Sequence, residues 1–150
     1  MLAPTEAHAP VLVQVRRAPL RLLKLRAIAL LPVLDLGLYW FGFARTYALL
    51  LHRATAAKRR GTAPRQAATV TSVCAAVENA TRYYYRRRRK DCLPKALLTY
   101  YLLNASGVQA SVHLGVRKFP FGAHAWVEND GQLVNDTQQR VGMYTPLMKG

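Results

Sequence analysis

The sequence predicts an α+β fold in which one helix packs on a small antiparallel sheet, with a helical region ahead of both. Three observations carry this. Apolar residues recur at helical spacing through most of the first hundred positions, the period falls to two after Gly107, and Asn129-Asp130-Gly131 is a tight-turn signal between two short runs. With 150 residues, 51% of them hydrophobic, the chain can bury a real core and is not a disordered segment.

Residues 1–63 read as an N-terminal helical region suited to docking a partner or a peptide leader, and residues 64–150 as the domain that carries the chemistry. Leu20, Leu22, Leu23, Leu25, Ile28, Leu30 and Leu31 lead up to Pro32, and a second apolar run reaches Leu51. Together they predict a helix pair, buried or facing a partner. An integral membrane span is not expected. Pro32, Asp35, Gly37, Gly42 and Arg45 interrupt the apolar stretch, and a charge at mid-bilayer costs roughly 2.5–3.5 kcal/mol. The basic run Arg16–Arg26 leaves surface attachment as an alternative. Met1–Pro10 lacks the positive start of a secretory signal, and Lys58 to Pro64 supplies cationic residues, Gly and Pro as helix-stop signals.

A long helix follows from about Pro64 to Tyr85, with Val70, Val73, Cys74 and Val77 on one apolar face. On that face Cys74 reads as a packed, inert thiol. Two cysteines make neither a disulfide framework nor a zinc site, which places the chain in a reducing, cytoplasmic setting. The formal charge of +15, from 22 Lys and Arg against 7 Asp and Glu, favours acidic partners: a peptide or protein, nucleic acid, or an anionic membrane. Tyr83-Tyr84-Tyr85 and Arg86-Arg87-Arg88-Arg89-Lys90 read either as a solvated helix end or as a grip on an acidic peptide. Nucleic acid is not the expected partner.

The next helix opens in Lys90-Asp91-Cys92-Leu93-Pro94. Asp91 is a candidate N-cap, and Pro94 is tolerated only in a first turn, so Cys92 sits at the helix start. Unpaired N–H groups and the helix dipole there favour the thiolate and can hold an oxyanion. Leu93, Leu97, Leu98, Tyr101 and Leu102 continue the helix to about Gly107. Without a partner, Cys92 would be read as packing only.

The partner comes from the strands, predicted at Ser111–Lys118, His124–Glu128 and Leu133–Asp136. A three-residue loop centred on Asp130 sets Glu128 opposite Gln132, Trp126 opposite Val134, and His124 opposite Asp136. A two-residue loop, Asp130-Gly131, would instead set Asp136 opposite Ala125 and leave Asn135 as the fallback. Thiol, imidazole and carboxylate are the parts of a cysteine nucleophile acting on carbonyl carbon. His8 and His52 fall in the helical region, His113 is a rim or satisfied core group, and Glu128 is a solvated charge near the turn. Trp126 is a candidate cleft wall and equally a core residue, and Arg117 is a candidate substrate contact. The tail, Arg140–Gly150, reads as a closing strand or loop.

From Asp91-Cys92-Leu93 through Gly115-Val116-Arg117-Lys118-Phe119-Pro120 and Ala123-His124-Ala125-Trp126-Val127-Glu128 to Asn135-Asp136, the chain resembles the B-type leader peptidases of lasso-peptide biosynthesis. These belong to the transglutaminase-like, papain-related cysteine protease superfamily. The resemblance implies a papain/transglutaminase-like core and a Cys-His-Asp triad falling on Cys92, His124 and Asp136. It implies hydrolytic removal of a precursor leader, without metal or organic cofactor, which frees the core amine for a separate ATP-dependent cyclase. The helical N-terminus does not read as the small strand-rich recognition domain fused in some members. The implied form is therefore the split one, whose partners are the precursor leader, a separate leader-recognition protein and, as a further candidate, the lasso cyclase.

Overall fold

The computed structural model describes residues 20–58, 67–85 and 92–149. The Asp91 cap, the Arg86–Lys90 run, His8 and the stop signal after Lys58 lie outside the described residues. Helices α1 (Leu20–Lys58), α2 (Ala67–Tyr84) and α3 (Cys92–Ala105) precede strands β1 (Ser111–Arg117), β2 (Gly122–Asn129) and β3 (Gln132–Leu133). One turn of helix, α4 (Gln138–Val141), and a last strand, β4 (Thr145–Lys149), follow. The antiparallel sheet runs β3-β2-β1-β4, so the tail returns past the hairpin to pair with β1, with a register shift at Leu114/Gly115. An α+β fold with a helical N-terminal region is what the sequence predicts.

Helix α1 is the expected pair, but it divides at Gly42 rather than at Pro32. Pro32 stays within the first arm, whereas Gly42 takes φ 71, ψ 178, a combination open essentially to glycine alone. The chain reverses there. A Cβ on Gly37 would lie 3.5 Å from Thr46 Oγ1, although nine residues of straight helix would separate the two by about 13 Å. Since nothing lies within 4 Å of a Cβ at Gly42, the cost of Gly42→Ala is conformational. We expect a loss of about 1–3 kcal/mol, read as a lower thermal midpoint. An unchanged midpoint would mean that the reversal is made elsewhere.

Leu23, Ala27, Leu31 and Leu34 of the first arm are buried at intervals of four and three, and Phe43, Tyr47 and Leu50 of the second pack on the same core. The opposite faces keep Val33, Leu36, Tyr39, Trp40 and Phe41 exposed. By length and composition alone, Leu20–Arg53 is long and apolar enough to cross a membrane, and 17% of its most apolar window is buried.

Helix α3 lies at the centre, against α1 and α2 and on β1 and β2. Its buried residues (Ala96, Leu97, Leu98, Thr99, Tyr100, Leu102 and Leu103 among them) run right around the helix, as a helix enclosed on all sides requires. Each large one stabilises the fold by about 1.5–3 kcal/mol. Asn104 closes the helix, donating through Nδ2 to the Tyr100 and Ala110 carbonyls at 2.9 and 3.1 Å. The helix that begins at Cys92 is thereby clamped at its opposite end.

Candidate active site

Cys92 is the first residue of α3 and half-buried, with Pro94 in the first turn as expected. His124 is on β2, 9% exposed. Its Nε2 lies 2.5 Å from Asp136 Oδ2, while Asp136 Oδ1 accepts from the Thr137 backbone N–H at 2.8 Å. That pairing keeps the neutral ring's proton on Nε2 and leaves Nδ1 as the basic nitrogen. Cys92, His124, Asn135 and Asp136 line one cavity of about 300 Å³ with Glu78, Lys95 and Arg140.

The expected route to the His124–Asp136 pair needs correction. The hairpin loop has two residues, with Asp130 at φ 50 and Gly131 at φ 77, as a type I′ turn demands. Glu128 therefore faces Leu133 and Asn129 faces Gln132. Had the ladder continued, Asp136 would have met Ala125. Instead β3 stops after Leu133, and the Asn135 side chain takes over from the backbone. Its Oδ1 accepts the Val127 N–H at 2.8 Å, beside the Val134 N–H donated to the Val127 carbonyl at 3.0 Å. Those two bonds swing Asp136 beneath His124.

Of the two placements open to Trp126, the structure gives the core. It is 1% exposed and donates through Nε1 to Glu128 Oε1 at 2.9 Å. Its ring stacks 5.7 Å from His113 and 6.2 Å from His124, so it is a shelf under the imidazole rather than a cleft wall. Glu128, expected to be solvated, is held by that indole and lies 3.5 Å from His113 Nε2. His113 also bonds Ser111 Oγ at 2.9 Å, a satisfied core group. Gly115, paired with His124 across β1 and β2, has no room for a side chain. A Cβ there would come within 2.9 Å of the Trp126 ring and 3.0 Å of Tyr144 Cβ. We expect Gly115→Ala to destabilise by about 1–3 kcal/mol and to move the His124 ring resonances. A variant with unaltered resonances would show that Trp126 does not hold the imidazole.

The tail supplies what sequence patterns missed. Tyr144 brings its ring to 5.0 Å from His124, and Arg140 Nε lies 3.9 Å from Asp136 Oδ1. Arg117 sets its guanidinium carbon 5.4 Å over the Tyr144 ring. Tyr85, one of the three consecutive tyrosines, is 5% exposed and lines the cavity, whereas Tyr83 points outward. Cys74 stays apart from the cavity lining. Its thiol donates to the Val134 carbonyl at 3.4 Å, and burial raises its pKa, with the nearby Lys95 charge pulling partly the other way. It packs as expected.

A central helix that starts at Cys92, packed on an antiparallel sheet that presents a His–Asp pair, defines a mixed α+β domain of the transglutaminase-like class. The family model described as the transglutaminase-like superfamily matches residues 33–149, and the chain belongs to that superfamily. Over 48 residues it is 40% identical to the microcin J25-processing protein McjB of Escherichia coli. That stretch is 32% of this chain and 23% of the relative, so the match spans less than a quarter of McjB's length. No solved structure gives a significant match.

Proposed function

We propose that the chain is a cysteine peptidase that removes the leader from a ribosomally made lasso precursor peptide and frees the core amine for a separate cyclase. The carrying observation is the His124–Asp136 hydrogen bond on the wall of the cavity that Cys92 also lines. The partial likeness to McjB, whose name specifies processing of microcin J25, supports the substrate class. In this reading Cys92 passes its proton to His124 Nδ1 and attacks the carbonyl at the leader–core junction. The N–H groups of the α3 start receive the oxyanion, and His124 returns the proton to the departing amine. Water, deprotonated by His124, then releases the leader acid. The setting is cytoplasmic, and both described cysteines are outside disulfides.

The test is mass spectrometry of precursor incubated with the chain and a leader-recognition protein. Free leader acid plus free core supports the peptidase. A leader joined to an added amine would support acyl transfer instead, the other chemistry of this superfamily.

In the same reading residues 1–63 dock the partner that presents the leader, and residues 64–150 cut. The Gly42 reversal displays Tyr39, Trp40 and Phe41 at 83%, 70% and 63% exposure, a patch of the kind that marks a protein interface. Replacing Trp40 and Phe41 together by Ser is expected to leave the thermal midpoint nearly unchanged. Partner-dependent cleavage should fall roughly tenfold, about the loss of one interface anchor. Unchanged cleavage would refute the docking role, and lost binding to lipid vesicles would reassign the patch to a membrane surface.

A further inference from the structure

Two cavities meet at Cys92, His124 and Arg140, and their chemistry differs. On one side Lys95 is already neutralised, with Nζ 2.7 Å from Glu78 Oε2. The other, about 400 Å³, adds Arg117, Met143 and Tyr144, and among the described residues no carboxylate lines it. We propose that this second basin is a charge-selective subsite for the carboxylate of an Asp or Glu side chain of the substrate, close to the scissile bond. The proposal rests on the reading of Cys92 as the nucleophile.

Arg117 carries the argument. Its Nε is buried and finds no acceptor among the described residues. The Tyr144 ring beneath it steadies the cation but cannot accept in the plane of the guanidinium, where a carboxylate entering from the basin would bond the two terminal N–H₂ groups rather than the enclosed Nε. Gly122 leaves room for this arrangement, since a Cβ there would sit 3.2 Å from Nε. Arg140 also lines the basin, its Nε shared at 3.9 Å with Asp136. Two cations lining one basin, with the described carboxylates nearby, Glu78 and Asp136, lining the other cavity, favour an anionic guest over a neutral or basic one.

The experiment compares alkylation of Cys92 by iodoacetate and iodoacetamide, read by peptide mass spectrometry on the intact chain. Both reagents displace iodide at the same carbon and form the same C–S bond. Iodoacetate alone carries a carboxylate, so the rate ratio isolates the pull of the basin, and iodoacetamide corrects for changes in the thiol itself. We expect Arg117→Gln to lower the ratio roughly fivefold, as loss of one charge a few ångströms away predicts, and Arg117→Lys to lower it less. Cys74, protected in the fold, reports in the same digest whether each variant is folded. Met143→Glu, at a position 52% exposed, puts a competing carboxylate in the basin and should lower the ratio as well. A ratio unmoved by Arg117→Gln or Met143→Glu in folded protein overturns the subsite while leaving the nucleophile standing. Failure of both reagents at Cys92 overturns the nucleophile and the subsite together. Protection of Cys92 by acetyl-Gly-Glu-Gly-amide, but not by its Gln analogue, identifies a side-chain carboxylate. Protection by acetyl-Gly-Gly with a free C-terminus alone would assign the basin to a chain end and overturn the side-chain form.

Discussion

Replacing Cys92 with alanine is expected to remove precursor cleavage, a loss on the order of 10⁴-fold or more, while precursor binding persists. The residue contributes one half-buried side chain at the very start of α3. The helix beyond it is held by the packing of Leu97, Leu98 and Leu103, each fully buried, so alanine removes a sulfur and little else. Comparing wild type and variant by mass spectrometry, with circular dichroism for the fold, separates chemistry from structure. Equal cleavage by both proteins would mean that the sulfur plays no part and that the His–Asp pair serves another purpose. Lost cleavage with lost helix content would refute the claim that the packing of α3 is independent of its first residue.

The second large effect is expected from Asp136→Asn. Both carboxylate oxygens are acceptors here, one for His124 Nε2 and one for the Thr137 N–H. An amide has a single acceptor oxygen. If that oxygen keeps Thr137, the amide N–H₂ faces His124 and forces the ring proton onto Nδ1, the nitrogen the proposed chemistry needs as a base. If it keeps His124, the Thr137 N–H meets another donor, at a cost of about 1–3 kcal/mol. We expect kcat to fall by roughly 10²–10⁴, and ¹⁵N imidazole shifts to show the proton moved to Nδ1 or the turn before α4 loosened. Full activity with both hydrogen bonds intact would remove Asp136 from the mechanism.

The helices, the strands and the His124–Asp136 pair were legible because each rests on a local rule of period or turn chemistry. The pair was reached through a register the molecule does not have. Loop length decides register, and Asn129-Asp130-Gly131 satisfies both a two-residue and a three-residue reading. What rescues the contact is the Asn135 side chain capturing the Val127 N–H, an event that no periodicity records. The reversal in α1 was hidden for a related reason. Pro32 is the stronger helix breaker by composition, yet its missing N–H is tolerated inside the first arm, and the break falls where a backbone geometry needs glycine. Arg140, Met143 and Tyr144 lie in a tail of mixed character, and only the return of β4 to β1 carries them to the site. Trp126 had two readings because an aromatic on a strand beside a histidine fits a wall and a floor alike. Its 1% exposure decides for the floor.

The position of β4 beside β1 has a consequence for the order of events during synthesis. Cys92 leaves the ribosome about fifty residues before Tyr144, and the basin next to His124 has no far wall until Tyr144 and β4 have joined the sheet. A growing chain therefore presents its Cys92 thiol before the basin beside it is walled. In the proposed reading, cutting therefore waits for the threading of the sheet.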